Sequence, residues 1–94
     1  MKIVKVNGRK KRHKVVMYAI STCAWCKHTK QFLKDNNVEF EYVDVDLCDD
    51  GDQEKIEKEI TKRGGRLSYP TLIVDEKILI TGYKPDKISE ALEL

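Results

Sequence analysis

Ninety-four residues are enough for one compact domain with a single small core. With 40% hydrophobic and 36% charged residues the composition is globular, which argues against disorder, and the longest apolar run, Val15 to Ile20, is far short of the ~20 residues of a membrane-spanning helix. The net charge of +2 conceals an asymmetry, because residues 1–34 hold ten Lys/Arg and no acid, whereas residues 35–94 hold the other eight and all sixteen Asp/Glu.

The chain opens with "KIVKV" and Asn7-Gly8, a strand followed by a tight turn. A two-residue hairpin there would set Lys5 opposite Lys10, two like charges across a ladder. The segment is therefore read as an extra N-terminal strand or arm. No signal-peptide apolar region follows the first Met, so a cytoplasmic protein is expected. "RKKRHK", residues 9–14, is either a solvated basic segment or a docking surface for an acidic partner. It has no interleaved aromatics, so no nucleic-acid role is expected.

"KVVMYAI", Lys14 to Ile20, is rich in β-formers and reads as a strand buried on both faces. From Cys23 to Asn36 the period becomes helical, with Cys26, Thr29, Phe32 and Leu33 on one face. "VEFEYVDVD", Val38 to Asp46, alternates like a strand. Gln53 to Arg63 places Ile56 and Ile60 four apart and stops at Gly64-Gly65, as a helix does. "TLIVDEKILIT" gives two short apolar runs about a turn at Asp75-Glu76, a hairpin. Pro85 and Asp86 open a last helix whose Ile88, Ala91 and Leu92 face inward. The order β-α-β-α-β-β-α specifies an α/β fold: a mixed four-stranded sheet with helices on both faces, plus the short N-terminal strand or arm. No repeat or linker divides it. Residues 1–94 are read as one domain, with residues 1–13 the arm and 14–94 the fold.

The chemistry concentrates in "STCAWCKHTK", residues 21–30. Cys23 falls just after a strand, where a helix begins and where unpaired N–H groups and the positive end of the helix dipole converge. Both favour a thiolate, and Lys27 and Lys30 add positive charge. Cys23 is then the exposed nucleophile. Cys26, one helical turn inward, is the thiol that resolves a mixed disulfide on Cys23. C-x-x-C beside a βαβ pattern points to this redox chemistry. A structural zinc site would need two further ligands, and Cys48, His13 and His28 lack paired spacing; no metal is expected. Covalent haem needs C-x-x-C-H, and here Lys27 follows. Asp46, Asp50, Gly51 and Glu57 match part of a calcium-loop spacing, but Cys48 stands at a ligand position. Three cysteines in a cytosolic chain also argue against a disulfide-stapled scaffold.

"YAISTCAWC", "SYPT" and "ITGYKPDKI" together resemble the glutaredoxin branch of the thioredoxin fold over residues 14–94. By that resemblance Pro70 is a cis-proline facing the cysteines, which would leave the backbone of Tyr69 open to pair with an extended substrate. Trp25, Tyr69, Pro70, Gly82 and Tyr83 would then border the substrate groove. Glutathione-using members carry a Lys three residues before the first cysteine, where this chain has Ile20. They also carry Gly-Gly and an acid near the last helix, where this chain has Thr81-Gly82-Tyr83-Lys84. Weak or no use of glutathione is therefore expected. "TGYKPDKI" and the Cys26-to-Lys30 run are similar to NrdH redoxins, the glutaredoxin-like donors to ribonucleotide reductase.

The resemblance implies a monomeric dithiol–disulfide oxidoreductase that needs no bound cofactor. Its substrates would be disulfide-containing proteins, with ribonucleotide reductase a candidate. Its electron donor would be a thioredoxin-reductase-like or ferredoxin-coupled reductase, and no nucleic acid or membrane is involved. The alternative is an iron–sulfur carrier ligating a cluster through Cys23 of two chains. Trp25 is read either as a partner anchor or as a tolerated surface aromatic. Cys48 is read as an apolar filler rather than a third redox thiol, and His28 as a helix-surface residue rather than a proton relay to the thiols.

Overall fold

In the computed structural model, which describes residues 1–94, five strands form one mixed sheet in the order β1-β3-β2-β4-β5. The strands are β1 (Val4–Val6), β2 (Val15–Ala19), β3 (Phe40–Asp44), β4 (Thr71–Val74) and β5 (Ile78–Thr81), and the helices are α1 (Ala24–Asp35), α2 (Asp50–Lys62) and α3 (Pro85–Leu92). β2 and β3 are parallel, joined through α1 as a β-α-β unit, and the other strand pairs are antiparallel. No helix is long and apolar enough to cross a membrane.

Period-2 alternation sends Val15, Met17 and Ala19 of β2 to one face, where Cys26 and Leu33 of α1 and Ile88 and Leu92 of α3 pack on them. On the other face Ile56 and Ile60 of α2 cover Val43 and Val45. The expected helices on both faces are thus present. Contrary to what its apolar run predicts, β2 is not buried on both faces, since Val16 and Tyr18 remain half-buried. A single helix covers only part of that side. The strand from Val38 is also shorter than its alternation suggests, because Val45–Leu47 turns into a 3₁₀ segment closed by Cys48 N–H donating to Val45 C=O. α2 begins three residues before Gln53. Asp49 caps it, its carboxylate accepting from Asp52 N–H at 2.8 Å, and Asp50 and Asp52 sit in the first turn where the dipole favours them.

The N-terminal segment is fastened along its length. β1 pairs with β3, which sets Lys5 opposite Glu41 and not opposite Lys10. Gly8 then crosses the α1–β3 junction so closely that a Cβ would lie 2.6 Å from three backbone atoms of Asn37, Val38 and Glu39. Gly8→Ala is expected to cost about 1–3 kcal/mol by overpacking and to expose the Val4–Val6 amides to hydrogen exchange. Unchanged exchange there would contradict this close approach.

His13 makes the last attachment. Its Nδ1 lies 2.6 Å from Asp75 Oδ2 in the β4–β5 turn, and its Nε2 lies 3.6 Å from Glu93 Oε2 beyond α3. The Asp75 hydrogen bond raises the His13 pKa above 6.5, and the same contact lowers that of Asp75 below 3.8. A raised His contributes stability that is fully present below its unfolded pKa and lost as pH rises through the folded one. A depressed Asp contributes stability present above its unfolded pKa and lost as pH falls through the folded one. The pair therefore contributes most between roughly pH 4 and pH 6.5. His13→Ala should lower Tm more at pH 5.5 than at pH 8.5, and an equal loss at both would refute the pairing.

Candidate active site at the start of the first helix

A turn of Ile20–Cys23, closed by Cys23 N–H donating to Ile20 C=O at 3.1 Å, carries the chain from β2 into α1. Cys23 is the N-cap of α1, extended in backbone (φ −83°, ψ 121°), and its sulfur accepts the Cys26 N–H at 3.2 Å. A negative sulfur there meets the unpaired amides of the first turn. None of the three cysteines is in a disulfide; Cys23 is half-buried and Cys26 fully buried. Cys26 Sγ accepts Ile20 N–H at 3.5 Å. Burial, followed by its hydrogen bond to Cys23, pushes the Cys26 thiol up to about 12. The two thiols are thus unequal in access, and it is Cys26 whose ionisation is opposed.

The charged surroundings differ from what linear order suggests. β2 runs from the basic arm at its start to the cysteine turn at its end, five residues of roughly 3.3 Å each. The "RKKRHK" segment therefore sits about 16 Å away, beyond a Debye length of about 8 Å at physiological salt. It is not part of the site. Lys27 is exposed beside the cysteines and in no salt bridge, whereas Lys30 is engaged elsewhere. Lys30 Nζ is 3.5 Å from Asp44 and 3.8 Å from the Tyr42 ring centroid, and its charge acts weakly on Cys26.

The loop before β4 comes up on the sheet side of the site. The Tyr69–Pro70 peptide is cis, as the resemblance implies. Pro70 is itself buried, and neither N–H nor C=O of Tyr69 is taken by another backbone group. Gly82 takes φ +86°, which favours glycine, and its N–H donates to Pro70 C=O at 2.7 Å. That bond ties the β5–α3 turn to the proline loop, so Gly82 has no amide left for a substrate.

Tyr83 then reaches over α1. Its ring stacks on Trp25 with centroids 5.9 Å apart at 25°, with His28 5.5 Å from Trp25 and Phe32 edge-on to Tyr83. Trp25 remains 60% exposed, so the stack presents an open aromatic surface beside Cys23. Cys48 lies just past the 3₁₀ turn; it is half-buried and its thiol donates to Asp44 C=O at 3.6 Å. The calcium-loop spacing has no structural counterpart, because Asp50, Gly51 and Glu57 are in α2 and Asp46 is bound to Ser21.

Ser21 and Asp46, which the sequence does not link, join the cysteine turn to the segment that follows β3. The parallel register Ala19–Asp44, continued two residues, brings them level. That register belongs to the folded sheet and has no mark in the sequence.

The Glutaredoxin family pattern matches residues 15–79 of this chain. The chain is 32% identical over 79 residues to a glutaredoxin-like 8.6 kDa protein of the rubredoxin operon of Clostridium pasteurianum, covering 84% of this chain and 97% of that one. Among solved structures it is similar to the glutaredoxin of Methanosarcina mazei Go1, with TM-score 0.90 and 37% identity over 100% of this chain and 90% of that one. It is likewise similar to the methanoredoxin of Methanosarcina acetivorans, with TM-score 0.85 and 41% identity over 93% and 90% of the two chains.

Proposed function

Because this chain belongs to the glutaredoxin family, whose common chemistry is thiol–disulfide redox, we propose that it reduces protein disulfides as an NrdH-like redoxin, with Cys23 attacking and Cys26 resolving. The observation that carries this reading is the inequality of the two thiols at one helix start. Cys23 Sγ sits half-buried at the N-cap, while Cys26 is sealed in the core beneath it.

Cys23, as thiolate, attacks one sulfur of the substrate disulfide; that S–S bond breaks, and the departing sulfur leaves as a thiolate and takes up a proton. Cys23 now carries the other substrate sulfur in a mixed disulfide and has lost its negative charge. Its charge and hydrogen bond are among the causes that hold the Cys26 pKa up, so their removal eases the loss of the Cys26 proton at that moment. Cys26 then attacks Cys23 Sγ, the second substrate sulfur leaves, and the Cys23–Cys26 disulfide holds the oxidised pair. Two electrons have passed to the substrate, and a reductase must return them. No bound cofactor enters, since the electrons reside in the dithiol, and the protein acts as a monomer.

An extended substrate segment would pair with the open backbone of Tyr69 and lay a side chain on the Trp25–Tyr83 stack. Lys84, exposed at the N-cap of α3, stands where glutathione-using relatives hold an acid. Beyond Tyr69 lies a shallow recess of about 330 Å³ whose lining includes Ile20, Asp46, Glu57 and Leu67 and no cation. A peptide carboxylate finds no partner there. Glutathione should therefore be a poor electron donor compared with a thioredoxin-reductase-like or ferredoxin-coupled enzyme.

The test is a reductant screen on turnover of a protein disulfide, with each donor system supplied in turn. A reductase-driven rate well above the glutathione rate is expected, with Lys84→Asp raising glutathione use several-fold. Efficient wild-type turnover with glutathione alone would overturn the donor assignment.

A further inference from the structure

Outside the two thiols, one carboxylate has both of its oxygens committed to the turn that carries the attacking cysteine. Ser21 donates twice to Asp46, through its N–H to Oδ1 at 2.8 Å and through its hydroxyl to Oδ2 at 2.5 Å. Ser21 is the second residue of the Ile20–Cys23 turn, whose other closure is the single Cys23 N–H to Ile20 C=O bond. Asp46 is held in turn by the 3₁₀ segment Val45–Leu47, anchored through buried Val45 in the core against α2. The turn is therefore fixed to β3 as well as to its own strand.

We propose that Asp46 is a positioning residue for thiol–disulfide exchange: by clamping Ser21 it keeps Cys23 Sγ at the N-cap, in register with Cys26. The inference rests on the reading of Cys23 and Cys26 as the reacting pair. Closing their disulfide is an intramolecular step, and its rate and equilibrium follow how closely the two sulfurs are held in attack geometry. A looser turn lowers the effective concentration of Cys26 at Cys23. The mixed disulfide would then resolve more slowly, and the pair would hold its disulfide less tightly.

Geometry and charge can be separated at this position. Asp46→Asn keeps a side-chain oxygen for the Ser21 N–H and supplies an amide N–H for the Ser21 oxygen, so it preserves both links and removes the charge. Asp46→Ala removes both links. The hydrogen-bonded Asp46 carboxylate is held below its usual pKa, chiefly by Ser21, so the clamp is ionised at neutral pH. Lys30 faces it as the nearby cation and also pairs with Asp44.

The experiment measures the reduction potential of the Cys23–Cys26 pair in a thiol–disulfide redox buffer, together with kcat and KM on a protein disulfide, with Tm recorded for every variant. Wild type is measured first, and a wild type that does not cycle sinks the underlying reading of the pair. Given a cycling wild type, Asp46→Ala should make closure roughly fivefold less favourable, which converts to about 20 mV more oxidising at about 30 mV per tenfold. Its kcat should fall comparably with little change in KM, and Asp46→Asn should return both values to near wild type. Ser21→Ala, which keeps the backbone link, should give roughly a twofold change and stands in should Asp46→Ala fail to fold. Wild-type potential in both Asp46→Ala and Ser21→Ala, or Asp46→Asn as impaired as Asp46→Ala, would overturn the proposal.

Discussion

Cys23→Ser is expected to reduce disulfide turnover to the uncatalysed background, because no other thiol can replace the one at the N-cap. Cys26 is buried beneath it and its thiol is pushed up to about 12, so almost none of it is thiolate at neutral pH. Cys48 lies past the 3₁₀ turn with its thiol turned to Asp44 C=O, and burial raises its pKa as well. The companion variant separates the two steps. Cys26→Ser still attacks once, since Cys23 keeps its helix-start environment, but it should accumulate as a mixed disulfide with the substrate that intact-mass measurement detects. Cys48→Ser should turn over like wild type. Turnover surviving in Cys23→Ser, or lost in Cys48→Ser, would assign the chemistry to a different thiol.

The second large effect falls on stability. Phe40 is 1% exposed and is the largest of the fully buried side chains, set on β3 between β1 and β2 and opposite Val6 of the N-terminal strand. Phe40→Ala removes that volume from a core bounded by α1 and α3, and a cost of about 3–5 kcal/mol follows from the transfer and cavity terms. Set against a typical domain stability of about 5–15 kcal/mol, the variant stands near the edge of folding. Phe40→Leu keeps most of the packing and should cost about 1–1.5 kcal/mol. Denaturant unfolding of the two variants gives both values. A loss under about 1 kcal/mol for the alanine would mean that the cavity collapses and the core is more plastic than its burial indicates.

The features readable in the sequence were those encoded locally. The apolar run Lys14–Ile20, the helical spacing after Cys23 and the Asp75-Glu76 turn each carry their periodicity within a few residues. The β-α-β order then makes β2 and β3 parallel. The Asp49 cap of α2 is local too, yet a reading built on the Ile56–Ile60 spacing starts the helix three residues late, because spacing marks a helix face and not its first turn.

Contacts between distant parts of the chain were not readable. His13 meets Asp75 across 62 residues, and Gly8 passes within contact of the α1–β3 junction with no sequence mark beyond a small residue. The basic segment shows the same separation. Close to Cys23 along the chain, it lies at the other end of β2, since a strand separates in space what sequence places together. At the site, the cysteines and Pro70 were legible from their motif. The Trp25–Tyr83 stack and the Ser21–Asp46 clamp were not, each requiring two elements that only the sheet order brings together.

On the proposed chemistry Cys23 is the accessible nucleophile and Cys26 the shielded partner. Alkylation of the fully reduced wild-type protein with limiting iodoacetamide at neutral pH, followed by peptide mapping, tests it most directly. Label on Cys23 well ahead of Cys26 and Cys48 is the predicted result, and label first on Cys26 or Cys48 would contradict the account.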